Sequence, residues 1–364
     1  MASSRLRFGA IATAIALATT LTACGDDSTS EGDDANAAAD EGSDEEDAAD
    51  GDDAAQAADE DDAEGEGNGE QAQAGTVEIE DNNGVQTITV PPTSVVATDN
   101  RTFETLDSWG VELSAAAVAL MPDTISYTQD DSIVDLGNHR EPDLEAVVAA
   151  QPDLIINGQR FTQYAEDFAQ LAPGAVVLDL DPRDGEPFDE ELRRQTLALG
   201  EIFGKQAEAE ALVADFDASI ERVNAAYDPE DTVMGVIVSG GEIGYVVPGT
   251  GRTLGPLFDI FSLTPALEVE GSTDHQGDDI SVEAIADANP DLLLVMDRDA
   301  AIGADDPNYS PAETVLENSE ALANVTAIQE GNIVYTPADT YTNEGIQTYT
   351  EYFNTLADAL ESAN

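Results

Sequence analysis

Three arginines stand at positions where a protein could hold an anion, and arginine is scarce in this chain. The sequence contains 12 Lys and Arg against 77 Asp and Glu, for a formal net charge of −65. Arg160 and Arg298 each follow an apolar run, and ligands of open α/β sheets sit at the carboxyl ends of strands. Arg252 lies in a glycine-rich turn before a predicted helix, where tight backbone also suits an anion. These residues predict an anion-binding site.

Arg160 and Arg298 belong to an internal repeat. Residues 144–160 and 282–298 align without a gap, with Glu145 matching Glu283 near the start of each copy. Each copy is typical of a short amphipathic helix that stops before proline. The apolar run that follows indicates a strand buried on both faces of a parallel sheet. The repeat therefore predicts two similar α/β lobes, each with one arginine at a shared mouth.

Other elements complete these lobes. Residues 76–90 alternate at period two around an Asn-Gly turn, which predicts a hairpin. The apolar spacing in residues 205–227 predicts a helix more than about 30 Å long, a candidate rigid bridge. We expect an α/β protein with two Rossmann-like lobes, residues 76–204 and 228–364, joined by that single helix.

The first 23 residues are typical of an export signal. Arg5 and Arg7 form a basic start, and residues 10–21 form an apolar stretch that is too short to remain as a membrane span. Leu21 to Cys24 resembles a lipobox, which would lipidate Cys24; plain cleavage nearby, leaving a free thiol, is the alternative. Cys24 is the only cysteine, so no internal disulfide is possible.

Residues 24–75 contain many acidic and small residues, with no basic or aromatic residue. This composition cannot form a core, and its like charges repel, so we expect an extended, disordered stalk. The acidity of the whole chain argues against nucleic acid and against docking to an anionic bilayer. It is also consistent with a habitat of high salt, where repulsion between carboxylates is screened.

From about Thr76 onward the chain resembles the substrate-binding lipoproteins of ABC importers for ferric siderophores, especially the catecholate-binding branch. The resemblance rests on ordered pieces: the hairpin followed by Val90-Pro91-Pro92, the two repeat units, the turn ending at Arg252, the loop Thr273-Asp274-His275-Gln276-Gly277 and the tyrosine-containing loop before the last helix. It implies the helical-backbone (class III) periplasmic binding protein fold, whose two lobes close little around the ligand.

The resemblance also implies which residues bind the cargo. In that family, three arginines face the anionic iron complex, and Arg160, Arg252 and Arg298 match their positions. Some members also bind iron directly through a histidine and a tyrosine, and His275 and Tyr341 match those positions. Iron(III) prefers anionic oxygen, and two bidentate catecholates leave two coordination positions, which an imidazole and a phenolate could fill. Planar guanidinium groups suit a delocalised anion.

The remaining implied roles concern partners. Glu145 and Glu283 match glutamates that dock onto arginines of the permease. We expect a lipid-anchored monomer on the extracytoplasmic face of the cell membrane, with a ferric siderophore as transported ligand and no permanent cofactor. The sequence departs from the family pattern around His275, where it carries an extra Asp and Gln, and at Asn343 and Glu344, where small residues are expected.

Several alternatives remain open. The same fold could carry haem, cobalamin or another chelate, and Tyr341 and His275 could also serve haem. Zinc or manganese capture is disfavoured, because such sites use several histidines and the sequence contains only His139 and His275. We find no nucleophile elbow, no zinc-protease motif and no phosphate-loop lysine, so we expect no enzyme. An acidic surface protein that binds calcium through the stalk is a further, weaker alternative.

Overall fold

The computed structural model describes residues 75–137 and 140–363. The export signal, Cys24, the acidic segment up to residue 74 and His139 lie outside the described residues.

The described chain alternates strands and helices. The strands are β1 (Gly75–Asp81), β2 (Gly84–Val90), β3 (Val95–Ala97), β4 (Ala115–Ala116), β5 (Val134–Asp135), β6 (Leu154–Asn157), β7 (Val176–Asp179), β8 (Thr232–Ser239), β9 (Glu242–Val246), β10 (Thr264–Pro265), β11 (Asp278–Asp279), β12 (Leu292–Asp297) and β13 (Ile333–Tyr335). The α-helices are α1 (Phe103–Ser108), α2 (Leu144–Ala150), α3 (Ala165–Leu171), α4 (Phe188–Phe203), α5 (Gln206–Ala226), α6 (Pro256–Ile260), α7 (Val282–Ala288), α8 (Arg298–Ile302), α9 (Ala312–Glu317), α10 (Thr326–Glu330) and α11 (Ile346–Ala363). Short 3-10 helices cover Val118–Leu120, Ser126–Gln129 and Gln159–Tyr164.

The first lobe is built on a parallel sheet with strand order β5-β4-β3-β6-β7. Its central strands β3 and β6 are buried along their whole length. This confirms that the apolar run before Arg160 forms an interior parallel strand. The predicted hairpin is also confirmed: β1 and β2 pair antiparallel, and the side chain of Asn82 in their turn donates to Asp179 Oδ1 at 3.0 Å.

The second lobe is built on a mixed sheet with strand order β11-β9-β8-β12-β13, and β10 pairs with β8. Strands β8, β12 and β13 are parallel, whereas β9 runs antiparallel to β8. The turn between β8 and β9 is Gly240-Gly241, and both glycines have positive φ. That backbone matches the twist of a two-residue hairpin and is unfavourable for other residues.

The internal repeat folds twice in the same way. The first copy forms α2 and β6, and the second forms α7 and β12. Each helix ends on a residue in the left-handed conformation, Gln151 and Asn289, both with a φ of 47°. The proline that follows cannot continue the helix, so the chain turns directly into the buried strand.

The aspartate of each Pro-Asp pair anchors this connection at or just before the start of the neighbouring strand. Asp153 Oδ2 accepts from the backbone N–H and the hydroxyl of Thr93 at 2.8 and 2.6 Å. Asp291 Oδ2 accepts from the same two groups of Thr232 at 2.9 and 2.7 Å. The Pro-Asp pair therefore has a scaffold role.

Two helices, α4 and α5, contribute to the cores of both lobes. In α4, Leu199 packs in the first-lobe core and Leu192 in the second-lobe core. In α5, Ala209 packs in the first-lobe core, while Phe216 and Val223 pack in the second. The helix pair breaks at Gly204, whose φ of 66° ends α4, and α5 also packs along α11.

Candidate functional site

Tyr341 lies at the centre of an arginine cluster. The guanidinium carbons of Arg252, Arg298 and Arg160 lie 4.4, 4.7 and 5.8 Å from the centroid of its ring. Arg160 Nη2 also donates a hydrogen bond to the Tyr341 hydroxyl at 3.1 Å. Stacking of guanidinium groups on an aromatic face is favourable, most of all when water is excluded. Only 3% of Tyr341 is exposed, so the cluster meets that condition.

The repeat places two of these arginines. Arg160 lies in the 3-10 helix that follows β6, and Arg298 is the first residue of α8, directly after β12. Gly158 makes the first placement possible, because a Cβ on it would lie 2.6 Å from Asp99 Cγ. The side chain of Asp297 caps α8 by accepting from the N–H of Ala300. The prediction that each arginine stands at a strand end is confirmed.

Arg252 is presented by the glycine-rich turn before α6. A Cβ on Gly251 would meet the backbone N and O of Val247 at 2.7 Å, and one on Gly255 would meet Gly251 O at 2.3 Å. The turn is therefore packed backbone to backbone, which only glycine permits. It directs Arg252 onto a carboxylate, because Nε and Nη2 donate to the two oxygens of Glu344 at 3.2 and 3.1 Å.

Glu344 is a buried carboxylate that links the two lobes. It also accepts from the Thr253 hydroxyl and from Gln159 Nε2, the latter at 2.9 Å, and Arg101 Nη2 lies 3.9 Å away. Burial acts to raise the pKa of Glu344, but Arg252 and Arg101 outweigh it, and the pKa lies below its usual range. Glu344 is thus an ionised group inside the site. The sequence marked position 344 only as a departure from the family pattern.

The same arginines change the acidity of Tyr341. Burial acts to raise the pKa of the phenol, but the hydrogen bond from Arg298 and the charges of Arg252 and Arg160 lower it below its ordinary value. Positive charge stabilises the phenolate relative to the phenol. Tyr341 therefore loses its proton more readily than an isolated tyrosine.

A cavity of about 700 Å³ opens beside this cluster, between the two lobes. His275 joins it from an exposed loop, with its side chain half exposed and Nδ1 3.9 Å from Asp274 Oδ1. Both lobes also contribute apolar side chains to its lining. The lining residues are Thr98, Asn100, Ala119, Leu120, Met121, Arg140, Gln159, Arg160, His275, Arg298, Ala301, Ile302, Tyr341 and Thr342.

The structure thus brings four of the five predicted ligand-binding residues to one cavity: Arg160, Arg298, His275 and Tyr341. Arg252 instead lines a neighbouring cavity of about 860 Å³, together with Glu344. Gln159 borders both cavities. Arg252 therefore acts on the first cavity through its charge and through its contact with the Tyr341 ring.

The arginines differ in how far they are neutralised. Arg298 Nη1 lies 3.3 Å from Asp299 Oδ1 and 3.1 Å from Ser239 Oγ. Arg252 is paired with Glu344. Within residues 75–137 and 140–363, no carboxylate oxygen lies within 4 Å of Arg160. Arg160 is consequently the arginine with the most positive charge left for a ligand.

The two glutamates of the repeat lie on the surface. Glu145 and Glu283 are exposed in the first turns of α2 and α7. Each helix begins at a capping side chain, Asp143 in one lobe and Ser281 in the other. The helix dipole favours an acidic residue in the first turn of a helix. Helix stability is therefore one local cause for a glutamate at positions 145 and 283.

Within residues 75–137 and 140–363, no group of three or more His, Cys, Asp or Glu side chains is arranged to hold a metal ion. No helix in that part of the chain is long and apolar enough to cross a membrane.

Residues 95–340 match the model of the periplasmic binding protein family, and the chain belongs to that family. Among curated relatives, the petrobactin-binding protein YclQ of Bacillus subtilis is 28% identical over 274 residues, covering 74% of this chain and 83% of the relative. The ferric-anguibactin-binding protein FatB of Vibrio anguillarum is 29% identical over 270 residues, covering 72% and 80% of the two chains.

Solved structures agree on the fold. The crystal structure of YclQ matches with a TM-score of 0.67 and 26% identity, covering 79% of this chain and 99% of the other. The catecholate-siderophore binding protein VctP of Vibrio cholerae matches with a TM-score of 0.68 at 24% identity, covering 79% and 100%. The expected α/β fold of a two-lobed periplasmic binding protein is confirmed.

Proposed function

We propose that this protein captures a ferric siderophore of the catecholate type and delivers it to an ABC permease for iron uptake. The observation that carries the proposal is the Tyr341 cluster, in which three guanidinium groups surround one phenol beside a cavity between the lobes. Positive charge, planar donors and a phenol of lowered pKa suit an anionic complex of iron(III).

Tyr341 and His275 would complete the coordination of the iron. Two catecholates supply four oxygens, and a phenolate and an imidazole would supply the remaining two ligands. Both residues line the same cavity. The apolar lining residues would pack against the catechol rings. The names of the relatives YclQ and FatB, which refer to petrobactin and to ferric anguibactin, support the same class of cargo.

A binding screen tests this proposal. The full-length chain is titrated by calorimetry with a ferric bis-catecholate, a ferric tris-catecholate, a ferric hydroxamate, haem and cobalamin. We expect a ferric catecholate to bind with a dissociation constant below about 1 μM, and the others to bind more weakly. Absence of such binding by both catecholates would contradict the proposal, and tight binding of haem or cobalamin would favour those cargoes instead.

Delivery would use the exposed glutamates Glu145 and Glu283. Their equivalent places on the two lobes would present one carboxylate to each half of a permease, where arginines could pair with them. Glu145→Arg and Glu283→Arg should abolish uptake of the iron complex by whole cells while leaving binding to the purified protein unchanged. Glu210→Arg, at an exposed position of α5, is the matched control and should retain uptake.

We further propose that a lipid on Cys24 holds the mature chain on the extracytoplasmic face of the membrane, with residues 25–75 as spacer. The lipobox-like Leu21 to Cys24 supports this. Mass spectrometry of the protein from membranes should find the lipid on Cys24. Cys24→Ser should move the protein into the soluble fraction, and its retention in membranes would count against the anchor.

A further inference from the structure

The buried carboxylate of Glu344 removes part of the positive charge that the arginines bring to the cleft. Arg252 is bound to it through two nitrogens, and Arg298 lies beside Asp299. Among the described residues, Arg160 alone of the three arginines has no carboxylate within 4 Å. Glu344 and Asp299 thus lower by two units the formal charge that Arg160, Arg252 and Arg298 bring to the cleft, which Arg140 also lines.

We propose that Glu344 sets the charge selectivity of the cleft, so that the protein prefers a ferric complex with a single negative charge over one with three. This inference rests on the function proposed above and narrows its substrate class. Iron(III) bound by two catecholate dianions carries one negative charge, and iron(III) bound by three carries three. The first also leaves coordination positions for Tyr341 and His275.

Because Glu344 is buried, its charge acts strongly on a ligand in the cleft. Its side chain is 2% exposed, so neither water nor salt screens it as they would a surface carboxylate. Arg252, its partner, stacks on the Tyr341 ring and donates to the Tyr341 carbonyl at 3.3 Å. Glu344 and Tyr341 therefore share the Arg252 guanidinium group as a contact.

Glu344 is also held in place from both lobes. Gln159, next to Arg160 in the first lobe, and Thr253, next to Arg252 in the second, both donate to it. A small residue at position 344 would leave the buried Arg252 without this counter-ion. The cleft would then gain one full positive charge and favour more highly charged anions.

The test compares two probes, a ferric bis-catecholate and a ferric tris-catecholate, on wild type and Glu344→Gln. Glutamine keeps the size and a hydrogen-bond acceptor but removes the charge. We expect the ratio of the two dissociation constants to shift about 10- to 100-fold in favour of the tris-catecholate. An unchanged ratio would overturn the inference.

Two controls separate charge from structure. Glu210→Gln removes an exposed surface charge and should leave the ratio unchanged. Thr253→Val removes a hydrogen bond to Glu344 without changing charge, and it should also leave the ratio unchanged. A shift in Thr253→Val as large as that in Glu344→Gln would refute the charge mechanism.

Thermal unfolding shows whether Glu344→Gln folds. If it does not, two further measurements still test the inference. The double variant Arg252→Gln/Glu344→Gln keeps the wild-type net charge and should keep the wild-type ratio. Wild type by itself should bind the bis-catecholate more tightly, and a preference for the tris-catecholate would overturn the inference. If wild type binds neither probe, the proposed function fails; if it binds both and Glu344→Gln leaves the ratio unchanged, only this inference fails.

Discussion

Replacing Arg160 by glutamine should weaken binding of a ferric bis-catecholate by about 2 kcal/mol, which is a rise of about 30-fold in the dissociation constant. A hydrogen bond to a charged group contributes about 1.5–3 kcal/mol. Two unit charges about 4 Å apart interact by about 4 kcal/mol near a protein surface, which sets the upper limit. Arg160 is only partly buried, so solvent screening places the loss of binding free energy in the lower half of the range of about 1.5–3 kcal/mol.

Calorimetry on the purified full chain measures this change, with urea unfolding as the check on stability. Arg160→Lys keeps the charge but loses the planar donor pair, so its loss should be smaller, about 5- to 10-fold. Arg222→Gln is the matched control, because Arg222 pairs with Asp358 and Glu361 on the surface. Binding by Arg160→Gln within twofold of wild type, with the fold intact, would refute the assignment of Arg160 to the ligand.

Three further predictions follow from single contacts. Asp291→Ala removes the acceptor for the N–H and hydroxyl of Thr232 and should lower the free energy of unfolding by about 1–3 kcal/mol, measured in urea. Burial and Asp181 raise the pKa of Asp99 to about 7. The stability contributed by its protonated form is therefore lost as pH rises from about 4 to about 7. Asp99→Asn should be the more stable protein at pH 8, measured in urea, and equal stability there would contradict this. Tyr341→Phe keeps the ring under the arginines but should remove any phenolate-to-iron absorption band from the loaded protein.

The repeat shows which parts of the fold can be predicted from local sequence patterns. Hydrophobic periodicity and proline chemistry act within a few residues, so residues 144–160 and 282–298 predicted their helices, their buried strands and the places of Arg160 and Arg298. The hairpin and the long helix α5 were predictable for the same reason. The direction of β9 was not, because it depends on the Gly240-Gly241 turn and on which strand β9 pairs with.

The candidate site required the tertiary structure. Its members come from chain positions far apart, and nothing near residue 344 in sequence indicates that Glu344 would meet Arg252, Arg101 and Gln159. The sequence supplied the residue types, the spacing and the resemblance that nominated Tyr341. Packing of the two lobes decided that the Tyr341 ring lies under three guanidinium groups and that Arg252 is already paired with a carboxylate. Strand ends can be read from local periodicity, whereas the net charge of a cleft is a sum over groups that only folding brings within a few ångströms of each other.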